Sequence, residues 1–116
     1  MKRLGRVVTD RGSKYAVSGR AVTDRAGIDA GLAALKSDCA YAKATHNSWG
    51  ARLRAGGPIK GDDGEAGAGM VILRMLEREG VYDHLVVVTR WYGGKHLGGD
   101  RFRHVQTSVR AYLDSL

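Results

Sequence analysis

The sequence is poor in cysteine and has no long apolar run. Its single cysteine, Cys39, excludes a disulfide within the chain and favours a reducing compartment such as the cytoplasm. No apolar stretch approaches the roughly 18–20 residues that a membrane-spanning helix needs. The basic N-terminus is not followed by an apolar segment of roughly 7–15 residues, so we do not expect a secretory signal peptide. These absences predict a soluble, cytoplasmic protein with no membrane partner.

The chain has the length and composition of one globular domain, which we assign to residues 1–116. Hydrophobic residues make up 43% of it and charged residues 27%, an ordinary balance for a folded protein. The formal net charge is +7, and both ends of the chain are basic. By contrast, the segment from Gly61 to His84 holds six acidic and two basic residues. A basic excess favours a polyanionic partner such as RNA, or an acidic protein.

The segment from Leu85 to Arg103 carries the clearest signal of secondary structure. Leu85 to Val88 is apolar at every position, which is typical of a central strand covered on both faces. We expect Asp100 to act as the N-cap of a final helix. Apolar residues then recur at helical spacing, at Phe102, Val105, Val109 and Leu113.

The rest of the chain alternates between strand and helix patterns. Strands are predicted over 14–22 and 43–54, with a short extra strand near Val7, and the second should bury Trp49, Ala51 and Leu53. Helices are predicted after Asp24, where Ile28, Leu32 and Leu35 share a face, and between the 61–65 turn and Gly80. The pattern predicts an α+β two-layer sandwich, with helices packed on one face of a small mixed β-sheet.

A glycine-rich basic loop joins the last predicted strand to the last helix. Its glycines allow a sharp turn or a close approach to another molecule, and the start of a helix can hold an anion. Single-stranded RNA would place phosphates against the cations and stack bases on aromatic rings, for which Trp91, Tyr92 and His96 are candidates, although core packing explains Trp91 more simply. The residues that we assign to this anion or nucleic-acid site are Arg90, Tyr92, Gly93, Gly94, Lys95, Arg101 and Arg103.

A second polar group combines His46 with the turn Asp62-Asp63-Gly64-Glu65. One alternative function is therefore a small hydrolase or phosphate-ligand enzyme that uses His46 and these carboxylates. Helix capping explains the acidic residues more simply, and their spacing matches no closed metal-binding motif, so we predict neither a metal nor a cofactor. A third alternative is a protein-interaction module for an acidic partner.

Four stretches of the chain, taken in order, resemble the IMPACT family, which includes the bacterial YigZ proteins. They are TDRGSKY (9–15), KATHN (43–47), GDDGEAGAG (61–69) and VVVTRWYGGKHLGGDRF (86–102). The resemblance covers nearly the whole chain. It implies a ribosomal-protein domain-2-like α+β fold and marks a candidate surface that includes His46, Asn47, Asp62, Asp63 and Glu65.

The resemblance also implies a place in the regulation of translation or of a stress response. Eukaryotic members of the family act there largely through an additional N-terminal RWD domain, and bacterial relatives often carry a second C-terminal domain. We expect this chain to be the shared domain standing alone. Its leading function is then a non-enzymatic binding domain for RNA or a ribosome-associated component.

Overall fold

A computed structural model of the chain describes residues 1–116, which form one five-stranded sheet and four helices. The strands lie in the order β1-β2-β5-β3-β4. Their bounds are β1 Lys2–Asp10, β2 Ser13–Ala21, β3 His46–Leu53, β4 Gly57–Gly61 and β5 His84–Trp91. The helices are α1 Arg25–Lys36, α2 Cys39–Ala42, α3 Ala68–Arg78 and α4 Asp100–Asp114.

β5 lies at the centre of the sheet because its apolar run can be buried on both sides. Leu85 and Val87 pack in one core, whereas Val86 and Val88 pack in another. Successive side chains of a strand point to opposite faces, and none of these four is more than 2% exposed. The prediction that this strand is covered on both faces is confirmed.

The helices therefore form two layers, one on each side of the sheet. α3 and α4 cover one face with residues that include Ile72 and Val109, while α1 covers the other with Ile28 and Leu35. The predicted α+β class is confirmed. The predicted two-layer arrangement, with helices on one face only, is wrong, because it would leave alternate residues of the β5 run in water.

Every strand pair is antiparallel, so the prediction of a mixed sheet is also wrong. The difference comes from β4, which the sequence analysis did not identify. β4 forms a hairpin with β3 and reverses the chain before α3, so that β5 returns antiparallel to β3. Pro58 argues against a strand in the sequence, because proline has no N–H to donate. β4 accepts it because this strand lies at the edge of the sheet.

Carboxylates fix the starts of two helices, although α3 begins at Ala68, later than the predicted start beside Glu65. Asp24 caps α1 by accepting a hydrogen bond from the Gly27 N–H at 2.7 Å. Asp62 reaches the start of α3 and accepts from the N–H groups of Gly67 at 3.1 Å and Gly69 at 2.8 Å. The acidic turn before α3 is therefore pinned to the helix that follows it.

The first strand contacts the C-terminal segment through a side chain. The Lys2 Nζ in β1 donates a hydrogen bond to the Ser115 carbonyl, just after α4, at 2.6 Å. β1 is a nine-residue edge strand, longer than the short strand predicted near Val7. None of the helices has the length and apolar character that crossing a lipid bilayer requires.

Candidate functional site

Strand pairing brings the predicted polar groups together at one end of the sheet. His46, at the start of β3, is the direct cross-strand partner of Arg90, near the end of β5. Tyr15 of β2 is the partner of Arg90 on its other side. Cross-strand partners project from the same face, which here is the face that α3 and α4 cover. Burial raises the pKa of Tyr15 to about 12, so its phenol stays neutral beside Arg90.

A buried ion pair forms the base of the site. Glu65, in the loop before α3, is 2% exposed, and Arg90 is 4% exposed. Glu65 Oε1 accepts from Arg90 Nη1 at 2.9 Å, and Arg101 Nη1 of α4 lies 3.6 Å from the same oxygen. A charge without such a partner would be costly to bury. The acidic turn and the basic loop therefore meet in one site.

His46 is oriented by a hydrogen bond at one of its ring nitrogens. Nδ1 lies 2.8 Å from the carbonyl oxygen of Asp63, which can only accept, so Nδ1 carries the hydrogen. Nε2 is then directed at Glu65 Oε2, 3.5 Å away. That carboxylate oxygen is fully buried and has no hydrogen-bond partner. The imidazole is thus held against the unpaired side of the Glu65 carboxylate.

A cavity of about 470 Å³ opens beside this ion pair. Tyr92 is 42% exposed there, and its ring centroid lies 5.7 Å from that of His96. The lining contains two guanidinium groups, two imidazoles and no carboxylate, which makes the cavity electropositive. Its lining residues are Thr45, His46, Arg90, Tyr92, His96, Leu97, Gly98 and Arg101.

The predicted loop glycines shape the site without lining the cavity. A Cβ on Gly93 would lie 2.0 Å from the carbonyl carbon of Gly12, so only glycine allows this contact with the β1–β2 turn. The Gly93 N–H donates to Ser13 Oγ at 3.1 Å, and the same hydroxyl accepts from Arg90 Nη2 at 3.3 Å. Gly94 has a φ of +93°, a backbone conformation that glycine adopts readily.

The start of α4 does not present free N–H groups to the cavity. Gly99, rather than the predicted Asp100, is the N-cap, and Asp100 is the first helical residue. The Asp100 carboxylate instead accepts from Arg11 Nη2 at 2.6 Å. The first N–H groups of the helix donate to carbonyl oxygens of the preceding turn, those of Leu97, Gly98 and Gly99. An anion in the cavity would therefore meet side chains.

Two of the predicted cations lie outside the cavity wall. Lys95 is exposed in the loop and makes no hydrogen bond or ion pair. Arg103 is exposed on the first turn of α4, where its Nη2 lies 3.3 Å from Asp100 Oδ1. Both belong to the loop–helix segment that carries Arg101, so they extend the positive surface beyond the cavity.

The other predicted residues stabilise the fold. Burial alone would raise the pKa of Asp62, but hydrogen bonds from two backbone N–H groups hold that pKa below its ordinary value. Asp63 Oδ2 accepts from the Asn47 N–H at 2.7 Å. Asn47 is 3% exposed and faces the opposite side of the sheet, where its Oδ1 accepts from Thr89 Oγ1 at 2.7 Å. It is therefore a structural residue and not part of the cavity.

Two residues of the site were missing from the sequence-based assignment. Ser13 is fully buried and joins Arg90 to Gly93, although 77 positions separate it from Arg90. Thr45 Oγ1 accepts from the Tyr92 N–H at 2.9 Å and so fixes the start of the loop. No local spacing signals either role. Both residues lie within the stretches that carry the family resemblance, and Thr45 also precedes His46 and Asn47 in a polar cluster of the sequence.

The fold and the site together define an antiparallel α+β domain with an electropositive cavity between its last strand and its last helix. The family model of the Impact N-terminal domain matches residues 11–113, which include every lining residue of the cavity. The chain belongs to this family.

Relatives with the IMPACT name match most of this chain. The Protein IMPACT homolog of Caenorhabditis elegans is 39% identical over 118 residues, covering 96% of this chain and 46% of that protein. The Protein IMPACT homolog of Saccharomyces cerevisiae is 36% identical over 108 residues, covering 89% of this chain and 42% of that protein. The chain thus spans less than half the length of either relative.

Two solved structures share the fold. The crystal structure of a hypothetical protein superposes with a TM-score of 0.85 and 22% identity, over 99% of this chain and 58% of the other. The two-domain translational regulator Yih1 gives a TM-score of 0.57 with 33% identity, over 93% of this chain and 44% of that protein. The first similarity concerns the fold alone, whereas the second joins the fold to a protein described as a regulator of translation.

Proposed function

We propose that this domain is a non-enzymatic binding domain for single-stranded RNA, free or within a ribosome-associated particle. It would act in the cytoplasm, in the regulation of translation or of a stress response. The observation that carries the proposal is the electropositive cavity with exposed aromatic rings at its rim. The naming of Yih1 as a translational regulator, and the membership of the IMPACT family, support the cellular context.

The cations around the cavity suit the phosphates of an RNA strand. The charge of Arg90 is already balanced by Glu65, so Arg90 serves mainly to hold the wall in place. Arg101 lines the cavity with a side chain that is 32% exposed, and Lys95 and Arg103 lie farther out on the same segment. Three such contacts predict a log–log salt dependence with a slope of about −2, since each contributes about −0.7 for a single strand.

The rim of the cavity suits a nucleobase. Tyr92 exposes 42% of its surface, and His96 lies beside it. An unpaired base can stack on such rings whatever its sequence, and each stacked base contributes about 1–3 kcal/mol. Charge and stacking together favour a single strand over a duplex, whose bases are not free to stack on the protein.

The test is a salt titration of binding to a labelled single-stranded RNA. Arg101→Ala should weaken binding and reduce the slope by about 0.7, because one phosphate contact is lost. Tyr92→Ala should weaken binding by about 1–3 kcal/mol at every salt concentration with the slope unchanged. A reduced slope therefore identifies a phosphate contact, and a loss of affinity at constant slope identifies a stacked base.

A matched control is Arg54→Ala, which removes an exposed arginine just beyond the other end of β3. It should leave affinity almost unchanged, apart from the small general effect of one lost charge. Equal losses in Arg54→Ala and Arg101→Ala would assign the binding to net charge and overturn the cavity as the site.

A second candidate is a hydrolase that acts on a phosphate-bearing substrate. The specific observation in its favour is the contact between His46 and the unpaired oxygen of Glu65 at the edge of the cavity. Asp62 and Asp63 are bound to backbone N–H groups, whereas Oε2 of Glu65 has no hydrogen bond and faces His46, so Glu65 is the carboxylate that this function would use. Cleavage of the labelled RNA by the wild type, abolished in His46→Gln, would favour this function.

A further inference from the structure

A second cavity, of about 410 Å³, lies on the opposite face of the sheet. It opens where α2 meets β1, β2 and the end of β5, and it shares no lining residue with the first. Gly5 and Ala16 form its floor, while Tyr41 and Trp91 form its wall with ring centroids 5.3 Å apart. Small residues beside large aromatic rings leave a depression in the face of the sheet.

An irregularity in β1 shapes this depression. Leu4 pairs with Val17 and Val8 pairs with Tyr15, so positions 5–7 of β1 face a single residue of β2, Ala16. Leu4 packs on the other face, so by alternation the Cα hydrogens of Gly5 face the cavity. A Cβ on Gly5 would have no atom within 4 Å, so this floor is open.

The cavity carries uncompensated positive charge. Arg6 and Lys14 line it, and neither makes a hydrogen bond or an ion pair with any residue of the chain. The neighbouring Arg3 differs, because its Nη1 is paired with Asp38 Oδ2 at 2.8 Å. No acidic residue lines the cavity, so an occupant with carboxylates would be attracted to its rim.

The interior of the cavity suits an apolar side chain better than a nucleobase. The indole Nε1 of Trp91 already donates to the carbonyl oxygen of Ala40 at 2.9 Å, and most of the remaining lining is carbon. A base would bury the polar groups of its edges without partners, which is costly, whereas an apolar side chain has none to lose.

We propose that this second cavity binds an acidic peptide segment of a partner protein. One bulky apolar side chain of the peptide packs on Gly5 and Ala16 against the rings of Tyr41 and Trp91. Carboxylates on either side of it pair with Arg6 and Lys14. The domain then holds RNA and a protein on opposite faces of one sheet, and neither site depends on the other.

The test is a nitrogen–proton NMR titration of the protein with a short peptide in which phenylalanine is flanked by aspartates. The chain contains two tryptophans, and their indole signals make an internal comparison. Trp91 should shift, because its ring forms the cavity wall, whereas Trp49, which is 8% exposed and does not line the cavity, should not. The same peptide with alanine in place of phenylalanine should lose the Trp91 shift.

Two variants locate the binding. Gly5→Leu should fill the cavity and abolish the shift, and an unchanged Trp49 signal would confirm that the protein is folded. Arg6→Glu with Lys14→Glu leaves the floor intact and should abolish binding of the aspartate peptide. Arg101→Ala, on the other face, should bind the peptide like the wild type, which separates this site from the proposed RNA site.

Three outcomes would overturn the proposal. The first is a Trp91 signal that does not move even at millimolar peptide. The second is an equal response to the alanine peptide, which would reduce the interaction to charge. The third is a Trp91 shift caused by single-stranded RNA and blocked by Gly5→Leu, which would make this cavity part of the RNA path.

Discussion

Arg90 and Trp91 are neighbours on β5, yet they line two cavities on opposite faces of the sheet, one with a polar base and one with an apolar floor. Arg90 lies on the face of α3 and α4, in a buried ion pair with Glu65. Trp91 lies on the other face, against Tyr41 and an apolar floor. Because side chains alternate along a strand, one step of the backbone separates the two environments.

The two faces of the sheet reach their shape by different means. The polar cavity depends on charges that must be compensated before they can be buried, so it needs Glu65, Ser13 and a close contact between two turns. The apolar cavity depends on the absence of side-chain volume at Gly5 and Ala16. We therefore expect single substitutions in the polar cavity to lower the free energy of unfolding, and single substitutions in the apolar cavity to change it little.

The largest effect is expected from removing one partner of the buried ion pair on the polar face. Glu65→Ala leaves Arg90 buried without its carboxylate, and we expect the free energy of unfolding to fall by about 3–5 kcal/mol in urea titrations. Glu65→Leu combined with Arg90→Met replaces both charges by carbon and should be much less costly. A loss below about 1 kcal/mol in Glu65→Ala would show that the pair behaves like a solvent-exposed one.

The next effect compares one glycine from each face. Gly93→Ala places a Cβ against the backbone of Gly12, and we expect a loss of about 1–3 kcal/mol because the two turns must separate. Gly5→Ala meets no atom within 4 Å and should stay within about 0.5 kcal/mol of the wild type. Equal losses in the two variants, measured by urea unfolding, would remove the predicted contrast between the faces.

The smallest effect concerns Asp62, which binds the acidic turn of the polar face to the start of α3. Its pKa is lowered in the folded state relative to the ordinary value of 3.8. Its stabilising contribution is therefore present above about pH 3.8 and is lost as the pH falls through the lower folded value. Asp62→Asn should lower stability modestly at neutral pH, because asparagine has one oxygen for the two N–H groups of Gly67 and Gly69, and it should flatten the acid loss of stability. Thermal unfolding across the acid range measures this, and an unchanged acid limb would contradict it.

Local patterns in the sequence predicted the parts of the fold that local physics determines. The apolar run of β5, the helical spacing after Asp24 and the cap at Asp62 all report the immediate surroundings of a few residues. Pro58 and the glycines around it hid β4, because an edge strand needs neither a full set of N–H donors nor bulky side chains. Because β4 was not predicted, β5 was expected to run in the opposite direction relative to β3.

The candidate site was predicted as separate groups but not as one site. His46 and Arg90 become neighbours through strand register, which depends on how the whole sheet aligns. Glu65 looked like a residue of a helix start, and its burial against Arg90 follows only from the packing of α3 on the sheet. The second cavity left no sequence signal, because it is made by a register shift in β1 and by small side chains.

The hydrogen bond from Lys2 to the Ser115 carbonyl has a consequence for how the domain can be rearranged. Because the Lys2 side chain reaches Ser115, a linker could join the two ends and new ends could be opened elsewhere, for example in the hairpin between β3 and β4. For the same reason, the whole unit can be inserted as a single excursion into a surface loop of another protein. The domain can thus be transferred as one unit into another protein.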